Sequence, residues 1–296
     1  MPSVGAVRCV HAAGAALGEG VLWSVREQAL YWVDILGRQL HRWRPGDGER
    51  AEWAFGEEIS AVAERRDAPG LIVTLRRGFA WFDPATGAAP RYAHQPEGEP
   101  AGNRFNDGKC DAQGRFWGGT MDFDCQQPTG ALYRYDPDGQ CSRHDEGFVV
   151  TNGPTWAGAA QGGHLYFNDT VQGCVYRYDF DAERGSVSNK QLWLRLAEGD
   201  GVPDGMTTDA QGCLWIAHWG GACVSCHHPE TAQELGRVHL PTSHVTNCAF
   251  GGADLQTLFI STARTGLSPA QLAAQPLAGG LFAVDVGSTG VPPNLF

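Results

Sequence analysis

Short runs of apolar residues, rich in aromatic and β-branched side chains, recur along the whole chain. Examples are LYWVDI, GRFWGGT, LYFNDT, LWIAHW and LFISTA. Runs of this length and composition are typical of buried β-strands. Helical periodicity is nearly absent, and the exception is Leu267–Gln275, where Ser268 can cap a short helix and Pro269 can occupy its first position. The pattern therefore predicts an all-β protein with one short helical insertion.

One strand–turn–strand pattern recurs six times, at intervals of 41 to 52 residues. The copies start near Glu19, Ser60, Asn106, Asn152, Asp204 and Asn247. Turns such as DAQGR and DAQGC separate the first two strands of a copy, because Asp bonds its own backbone there and Gly supplies a positive φ. This spacing predicts a six-bladed β-propeller with a central channel, formed by residues 1–296 as a single domain. A strand around Val7–His11 is expected to join the last blade and close the ring.

Composition fits many short strands and argues against several classes of partner. Of the 296 residues, 40 are Gly and 10 are Trp, and the net charge is −11. No cluster of Lys and Arg is present that could bind a nucleic acid backbone, and no apolar run is long enough to span a membrane.

The N-terminal residues lack a basic region followed by an apolar one, so we expect no signal peptide and a cytoplasmic protein. Nine scattered Cys predict thiols in a reducing compartment.

The residues that start each copy should converge on the propeller axis, although they are far apart in sequence. Five of the six are Glu, Asn or Asp, which are oxygen donors. Two carboxylates in a narrow channel repel each other unless a cation neutralises them. A hard divalent cation, held by two carboxylates and an amide oxygen, meets this need. The alternative is that each of these residues caps a turn at the start of a strand.

Four ordered motifs extend this interpretation. They are LGEGVLW at Leu17–Trp23, NRFNDGKCDAQGRFWGGTM at Asn103–Met121, TNGPTW at Thr151–Trp156 and VPDGMTTDAQGCLW at Val202–Trp215. With these motifs the chain resembles the SMP-30/gluconolactonase/regucalcin family over essentially its whole length. The resemblance implies a six-bladed propeller that binds one divalent metal on its axis and hydrolyses aldonolactones.

The resemblance also implies which residues form the site. The family's metal ligands fall on Glu19, Asn152 and Asp204. Calcium is the cation expected first, and zinc, manganese, magnesium and iron remain open. The family's contacts to the sugar lactone fall on three further residues. These are Arg104, Asn106 and Asp124.

Lactone hydrolysis needs a water nucleophile and stabilisation of the oxyanion, both of which a divalent metal can supply. We expect Asp204 to ligate the metal through one oxygen and to accept the proton of the attacking water with the other. Arg104 suits the carboxylate of the product, and Asn106 offers one donor and one acceptor to a sugar hydroxyl. The resemblance leaves the role of Asn247 open. Trp156 and Trp219 are candidates for pocket walls.

Two other functions remain open at this point. One is a promiscuous metal-dependent esterase or phosphotriesterase, and the other is a non-catalytic propeller that binds a divalent metal. Arg104 and Asn106 favour a polyhydroxylated substrate, because a site for an organophosphate should be lined with Leu, Phe and Met. The sequence CVSCH at Cys223–His227 matches a haem-attachment pattern but falls in a predicted strand and turn of the fifth blade. We expect a monomer whose partner is a small-molecule sugar lactone.

Overall fold

The structure is a computed structural model that describes residues 4–158 and 163–296. These residues form 24 strands and one short helix, and the strands form six four-stranded antiparallel sheets. The strand β1 is Arg8–His11. The first blade consists of β2 Gly18–Ser24, β3 Ala29–Asp34, β4 Gln39–Trp43 and β5 Arg50–Ala54. The second consists of β6 Ile59–Glu64, β7 Leu71–Leu75, β8 Gly78–Phe82 and β9 Arg91–His94.

The remaining blades repeat this arrangement around the ring. The third consists of β10 Asn103–Cys110, β11 Phe116–Asp122, β12 Gly130–Tyr135 and β13 Cys141–Phe148. The fourth consists of β14 Thr151–Ala157, β15 His164–Asp169, β16 Cys174–Asp181 and β17 Ser186–Arg195. The fifth consists of β18 Val202–Thr208, β19 Leu214–Trp219, β20 Cys223–His227 and β21 Glu234–His239. The sixth begins with β22 Val245–Gly251, β23 Thr257–Thr262 and β24 Leu281–Asp285. The six-bladed propeller predicted from the repeats is confirmed.

The outermost strand of the sixth blade comes from the other end of the chain. Strand β1 pairs antiparallel with β24, with Arg8 opposite Ala283 and Cys9 opposite Phe282. The predicted strand around Val7–His11 is therefore confirmed. Because this pairing joins the two ends of the chain within one sheet, opening the ring requires breaking a ladder of backbone hydrogen bonds.

The innermost strand of each blade contains a bulge near the residue that starts the repeat. In the first blade the register shifts between Glu19 and Leu22, and the other five innermost strands shift at the corresponding place. Each shift places one extra residue on the innermost strand, which bends the strand and re-aims its side chains. In the first blade Gly20 has a φ of +56°, and a Cβ there would lie 2.8 Å from the carbonyl oxygen of Ser60. Only glycine fits this close approach between neighbouring blades.

The hydrophobic core is divided among the six interfaces between neighbouring blades. One apolar cluster, for example, joins Trp215 and Val224 of the fifth blade to Phe250 and Ile260 of the sixth. Each of the other five interfaces has its own cluster. Burial of these side chains is the main favourable term that holds the ring together.

The helical insertion predicted at Leu267–Gln275 is the helix α1, Pro269–Ala274, between β23 and β24. The Ser268 hydroxyl accepts a hydrogen bond from the backbone N–H of Gln271, and the Gln271 side chain accepts from the backbone of Ser268. This reciprocal pair is a capping box, and Pro269 occupies the first helical position. Among the residues that the structure describes, no helix is long and apolar enough to cross a bilayer.

The aspartates of the repeated DAQG turns do more than form the turn. Asp111 accepts hydrogen bonds from the backbone N–H groups of Gln113 and Arg115, both at 3.0 Å. Its other oxygen accepts from Arg115 Nε at 2.6 Å and from Trp117 Nε1 at 2.9 Å. Asp209 bonds Trp215 Nε1 in the same way at 3.0 Å but has Cys213 where the third blade has Arg115. The buried carboxylate therefore fastens the turn to the following strand.

The cysteines are all free thiols, and the haem-like pattern lies inside the sheet. The segment CVSCH coincides with strand β20, whose five residues are all buried. A strand in the interior of a blade leaves no room for a covalently attached haem.

Replacement of Asp111 by Ala should destabilise the fold by about 3–5 kcal/mol, because it leaves the buried guanidinium of Arg115 without a carboxylate partner and the indole of Trp117 without an acceptor. Asp209→Ala should cost about 1–3 kcal/mol, since only neutral donors lose their partner. Asp254→Ala is the control, because its carboxylate is exposed and bonds only the N–H of Gln256. Chemical denaturation measures the free energy of unfolding of the three variants. An equal loss of stability in all three would contradict the role given to these turns.

Candidate functional site

A cavity of about 410 Å³ opens at one end of the propeller axis. Its walls have two layers, which we call the floor and the rim. The floor is polar and buried, and consists of Glu19, Arg104, Asn106, Asn152, Thr170 and Asp204. The rim is mainly apolar and consists of Leu17, Leu36, Phe123, Cys125, Val150, Val171, Val202, Trp219 and Thr265. Met121 is also buried in the wall.

Five of the six residues predicted for the site therefore line one cavity. They come from four different blades, and each lies at or beside a bulge of its innermost strand. A chain of hydrogen bonds fixes three of them: Arg104 Nη1 donates to Asn106 Oδ1 at 2.6 Å, and Asn106 Nδ2 donates to Asn152 Oδ1 at 3.2 Å. Asn152 Nδ2 in turn donates to the hydroxyl of Thr170 at 2.8 Å, which donates to the carbonyl of Pro203. These bonds turn the amide oxygen of Asn152 towards the floor.

The carboxylate of Glu19 is held by two donors. Its Oε2 accepts from the backbone N–H of Gly20 at 2.9 Å and from Asn247 Nδ2 at 2.8 Å. The same amide nitrogen of Asn247 lies 3.4 Å from Asp107 Oδ2. Asn247 therefore lies between two buried carboxylates, and its own Oδ1 is buried without a hydrogen-bond partner in the described part of the chain.

The floor concentrates negative charge that burial makes unfavourable. Burial raises the pKa of Glu19 to about 8, and the nearby Asp107 adds to the shift. Burial also raises the pKa of Asp204 well above its usual range, and Glu19 and Asp107 raise it further. Arg104 is buried among these groups, and desolvation lowers the pKa of its guanidinium to about 10. The ionised floor thus needs more positive charge than Arg104 alone supplies.

The donor set of the floor fits a hard divalent cation. The carboxylates of Glu19 and Asp204 and the amide oxygen of Asn152 are the oxygen ligands that calcium and similar ions prefer. A cation between the carboxylates would also offset the repulsion that raises their pKa values.

A second group of potential ligands lies in the fifth blade, away from the cavity. The ligand atoms of Asp209, Cys213 and Cys226 lie within 4.8 Å of one another. Both oxygens of Asp209 are already used, by two backbone N–H groups and by the indole of Trp215. Burial raises the pKa of Cys213 and Cys226, so both thiols are disfavoured as thiolate ligands.

The structure does not bring Asp124 to the cavity, which corrects the expectation for this residue. Its side chain is exposed, whereas its neighbours Phe123 and Cys125 line the rim. The cause is the turn that follows β11. The carboxylate of Asp122 accepts the backbone N–H groups of Gln126 and Gln127, both at 2.9 Å, and this tight turn leaves Asp124 on the outside.

Asp107 is a buried acidic residue close to the candidate site that sequence reasoning did not single out. It follows Asn106 in the motif RFND and, with it, occupies the bulge of β10. Alternation along the strand sends Asn106 to the cavity described above and Asp107 to the opposite side, where a second cavity of about 250 Å³ lies on the axis. The sequence feature that could have identified Asp107 is its position directly after Asn106, which the repeats place at the propeller axis.

The second cavity is lined by Asp107, Lys109 and Asn247 and is covered by the C-terminal segment Val291–Asn294. The Nζ of Lys109 donates to the carbonyl of Met206 and its charge lowers the pKa of Asp107, which burial raises overall. The segment that covers this cavity is fastened by backbone bonds between Phe296 and the second blade. The axial channel is therefore divided into two separate cavities.

The two tryptophans predicted as pocket walls, Trp156 and Trp219, lie in different cavities. Trp219 lines the rim, whereas Trp156 lines the second cavity. Trp219 stacks on His244, with ring centroids 4.0 Å apart and an interplanar angle of 17°. His244 is in turn held by the carbonyl of Thr265 at 2.9 Å, so the tryptophan has a fixed position.

Comparison with known proteins shows the family to which the chain belongs. Residues 17–264 match the family described as the SMP-30/gluconolactonase/LRE-like region. The chain belongs to this family. Within the SMP-30/gluconolactonase family, a 6-deoxy-6-sulfogluconolactonase of Pseudomonas putida is 38% identical over 98% of both chains. A pentonolactonase of Haloferax volcanii is 36% identical over 93% of both chains.

A solved structure has the same overall architecture. The structure of a regucalcin from Agrobacterium tumefaciens, described as a calcium-binding protein, matches with a TM-score of 0.92. The two sequences are 26% identical, and the match covers 99% of this chain and 97% of the other.

Chelator-treated protein should lose stability as the pH rises from about 4.5 to about 8, since folded Glu19 keeps a proton that the unfolded chain releases near pH 4.5. Glu19→Gln removes this titration and should reduce the loss between pH 5 and pH 8 by roughly 2–4 kcal/mol. Urea unfolding at the two pH values measures the difference.

Glu97→Gln serves as the control, because Glu97 is an exposed loop residue. A pH dependence that is the same in Glu19→Gln and in the unaltered protein would contradict the assignment of this proton to Glu19.

Proposed function

We propose that this protein hydrolyses a sugar lactone to the corresponding aldonic acid with one divalent metal ion bound at the floor. The protein is a lactone-hydrolysing hydrolase of the SMP-30/gluconolactonase family, in which relatives of similar length are named lactonases. The observation that carries the proposal is the convergence of Glu19, Asn152 and Asp204 with Arg104 and Asn106 on one cavity. A structural metal site alone would not need the last two residues.

Glu19, Asn152 and Asp204 would hold the metal. A bound divalent cation polarises an ester carbonyl and lowers the pKa of water, which is the chemistry that lactone opening requires. Calcium is the cation we favour, since every ligand is an oxygen. The name of the regucalcin of Agrobacterium tumefaciens supports the same choice.

The other floor residues would bind and orient the lactone. Arg104 is held by Asn106 and by the carbonyl of Phe105, which leaves its remaining N–H groups for the carbonyl oxygen and then for the new carboxylate. Asn106 Nδ2 already donates to Asn152 and to the carbonyl of Thr151, so Asn106 would accept a hydrogen bond from a ring hydroxyl with the free lone pair of its Oδ1. Because these groups are buried and already bonded to each other, little ordering is needed when a substrate binds.

Asp204 would accept the proton of the attacking water. Its carboxylate lies on the floor beside Glu19, where burial and the neighbouring negative charges favour its protonated form. A bound cation would offset those charges and keep Asp204 ionised, so that the oxygen not used as a ligand could accept the proton.

The apolar rim supports a second candidate, a metal-dependent esterase or phosphotriesterase. We expected a site for such substrates to be lined with Leu, Phe and Met, and Leu17, Leu36, Met121 and Phe123 do line this cavity. The lining of the cavity therefore does not exclude apolar esters. The polar floor still favours a lactone that carries hydroxyl groups.

Proton release during hydrolysis distinguishes these functions. Chelator-treated protein is expected to be inactive on pentono- and hexonolactones, and one restored cation should produce acid well above the spontaneous rate. A phenyl ester and a phosphotriester are measured beside them and should react more slowly. Faster turnover of these two compounds would favour the second candidate, and no acceleration with any metal would leave only a binding role.

Asp204→Asn should lower kcat at least about 100-fold, because it removes the proton acceptor. The matched control is Asp124→Asn, which should change kcat less than about twofold, since this exposed side chain does not line the cavity. Calorimetry measures metal binding in both variants. If Asp204→Asn kept both the metal and full hydrolysis, the assignment of the base would be wrong.

A further inference from the structure

The polarity of the cavity changes abruptly between its two layers. The charged groups and amides of the wall lie in the floor, where each is at least nine-tenths buried. Among the residues that the structure describes, the rim contains no charged side chain, and its polar side-chain groups are the hydroxyl of Thr265, the thiol of Cys125 and the indole N–H of Trp219. A molecule that fills the cavity therefore meets polar partners at its inner end and apolar surface at its outer end.

The rim exposes apolar surface that a soluble protein normally buries. Leu36 is 39% exposed and Val171 is 49% exposed. They are two of the six large apolar side chains that are exposed in the described chain, and both lie at this one opening. Exposed apolar residues gathered at a concave site mark a surface that binds an apolar group.

Contacts with neighbouring residues hold the aromatic side chains of the rim in place. Trp219 is fixed by stacking on His244, and the ring of Phe123 lies 4.9 Å from the guanidinium of Arg76 and 6.0 Å from that of Arg104. Leu36 and Val171 lie on the turns that follow β3 and β15, so they belong to different blades. A rigid surface of this kind can discriminate between substituents that differ by one group.

We infer that the rim selects lactones whose exocyclic carbon chain ends in an apolar group, such as the methyl group of a 6-deoxyhexonolactone. This inference rests on the proposed function, which places the ester and the ring hydroxyls at the floor. The exocyclic carbons then extend outward, where a terminal hydroxyl loses water and gains few hydrogen-bond partners. A methyl group at the same position instead buries apolar surface against Val171 and Leu36.

The test uses two lactones that differ in one hydroxyl, a 6-deoxyhexono-1,4-lactone and the hexono-1,4-lactone of the same configuration. The metal-loaded protein should have a kcat/KM about tenfold higher for the deoxy compound, because an apolar pocket discriminates only moderately against an added hydroxyl. Equal values, or a preference for the hydroxylated compound, would overturn the inference. Absence of hydrolysis of both compounds would instead contradict the proposed function.

A variant of the rim shows whether this surface causes the preference. Val171→Thr exchanges one methyl group for a hydroxyl at nearly constant size and should reduce the ratio of the two kcat/KM values to about threefold or less. Val25→Thr is the matched control, since Val25 is 45% exposed on a turn but lies outside the cavity. An unchanged ratio in Val171→Thr, in protein of unaltered thermal stability, would overturn the assignment of the preference to the rim.

Discussion

Two carboxylates, Glu19 and Asp204, share the buried floor of one cavity, and Asp107 lies behind them on the axis. Burial raises the pKa of Glu19 and of Asp204, Asp107 raises both further, and Glu19 also raises that of Asp204, so the ionised floor is unfavourable without additional positive charge. Arg104 and Lys109 supply part of that charge from the two sides of the channel. The closed ring and its six apolar interfaces must hold these groups together against their repulsion. A cation that binds between the carboxylates would relieve this repulsion and so stabilise the folded protein.

The bulges explain how strands of six blades can place such groups side by side. A regular strand alternates its side chains between the two faces of the sheet, and both faces of a blade pack against neighbouring blades. An extra residue in each innermost strand turns the chain towards the axis. In β18 this extra residue comes at Asp204 and Gly205, and in β10 it comes at Asn106 and Asp107. The fold and the site therefore depend on the same local irregularity.

This irregularity also decides what the sequence could predict. The repeat of about 45 residues fixed the number of blades, and equivalence between repeats identified Glu19, Asn152 and Asp204 without knowledge of the bulge. Asp107 was missed because alternation assigns it to the face opposite Asn106, and the sequence does not reveal that both faces open into the channel there. Asp124 was misplaced for a different reason, since the turn made by Asp122 is a local hydrogen-bond choice that the repeat does not encode.

The C-terminal segment has a consequence for the chemistry of the floor. It covers the second cavity, so that water reaches Glu19 and Asp204 chiefly from the side of the rim. A substrate that covers the apolar rim would then displace most of the remaining water from the cavity. Charges interact more strongly when solvent is excluded, so the attraction between the floor and a polarised carbonyl increases as the substrate enters. Binding at the rim and electrostatic stabilisation at the floor are thus two parts of one arrangement, which no single residue provides.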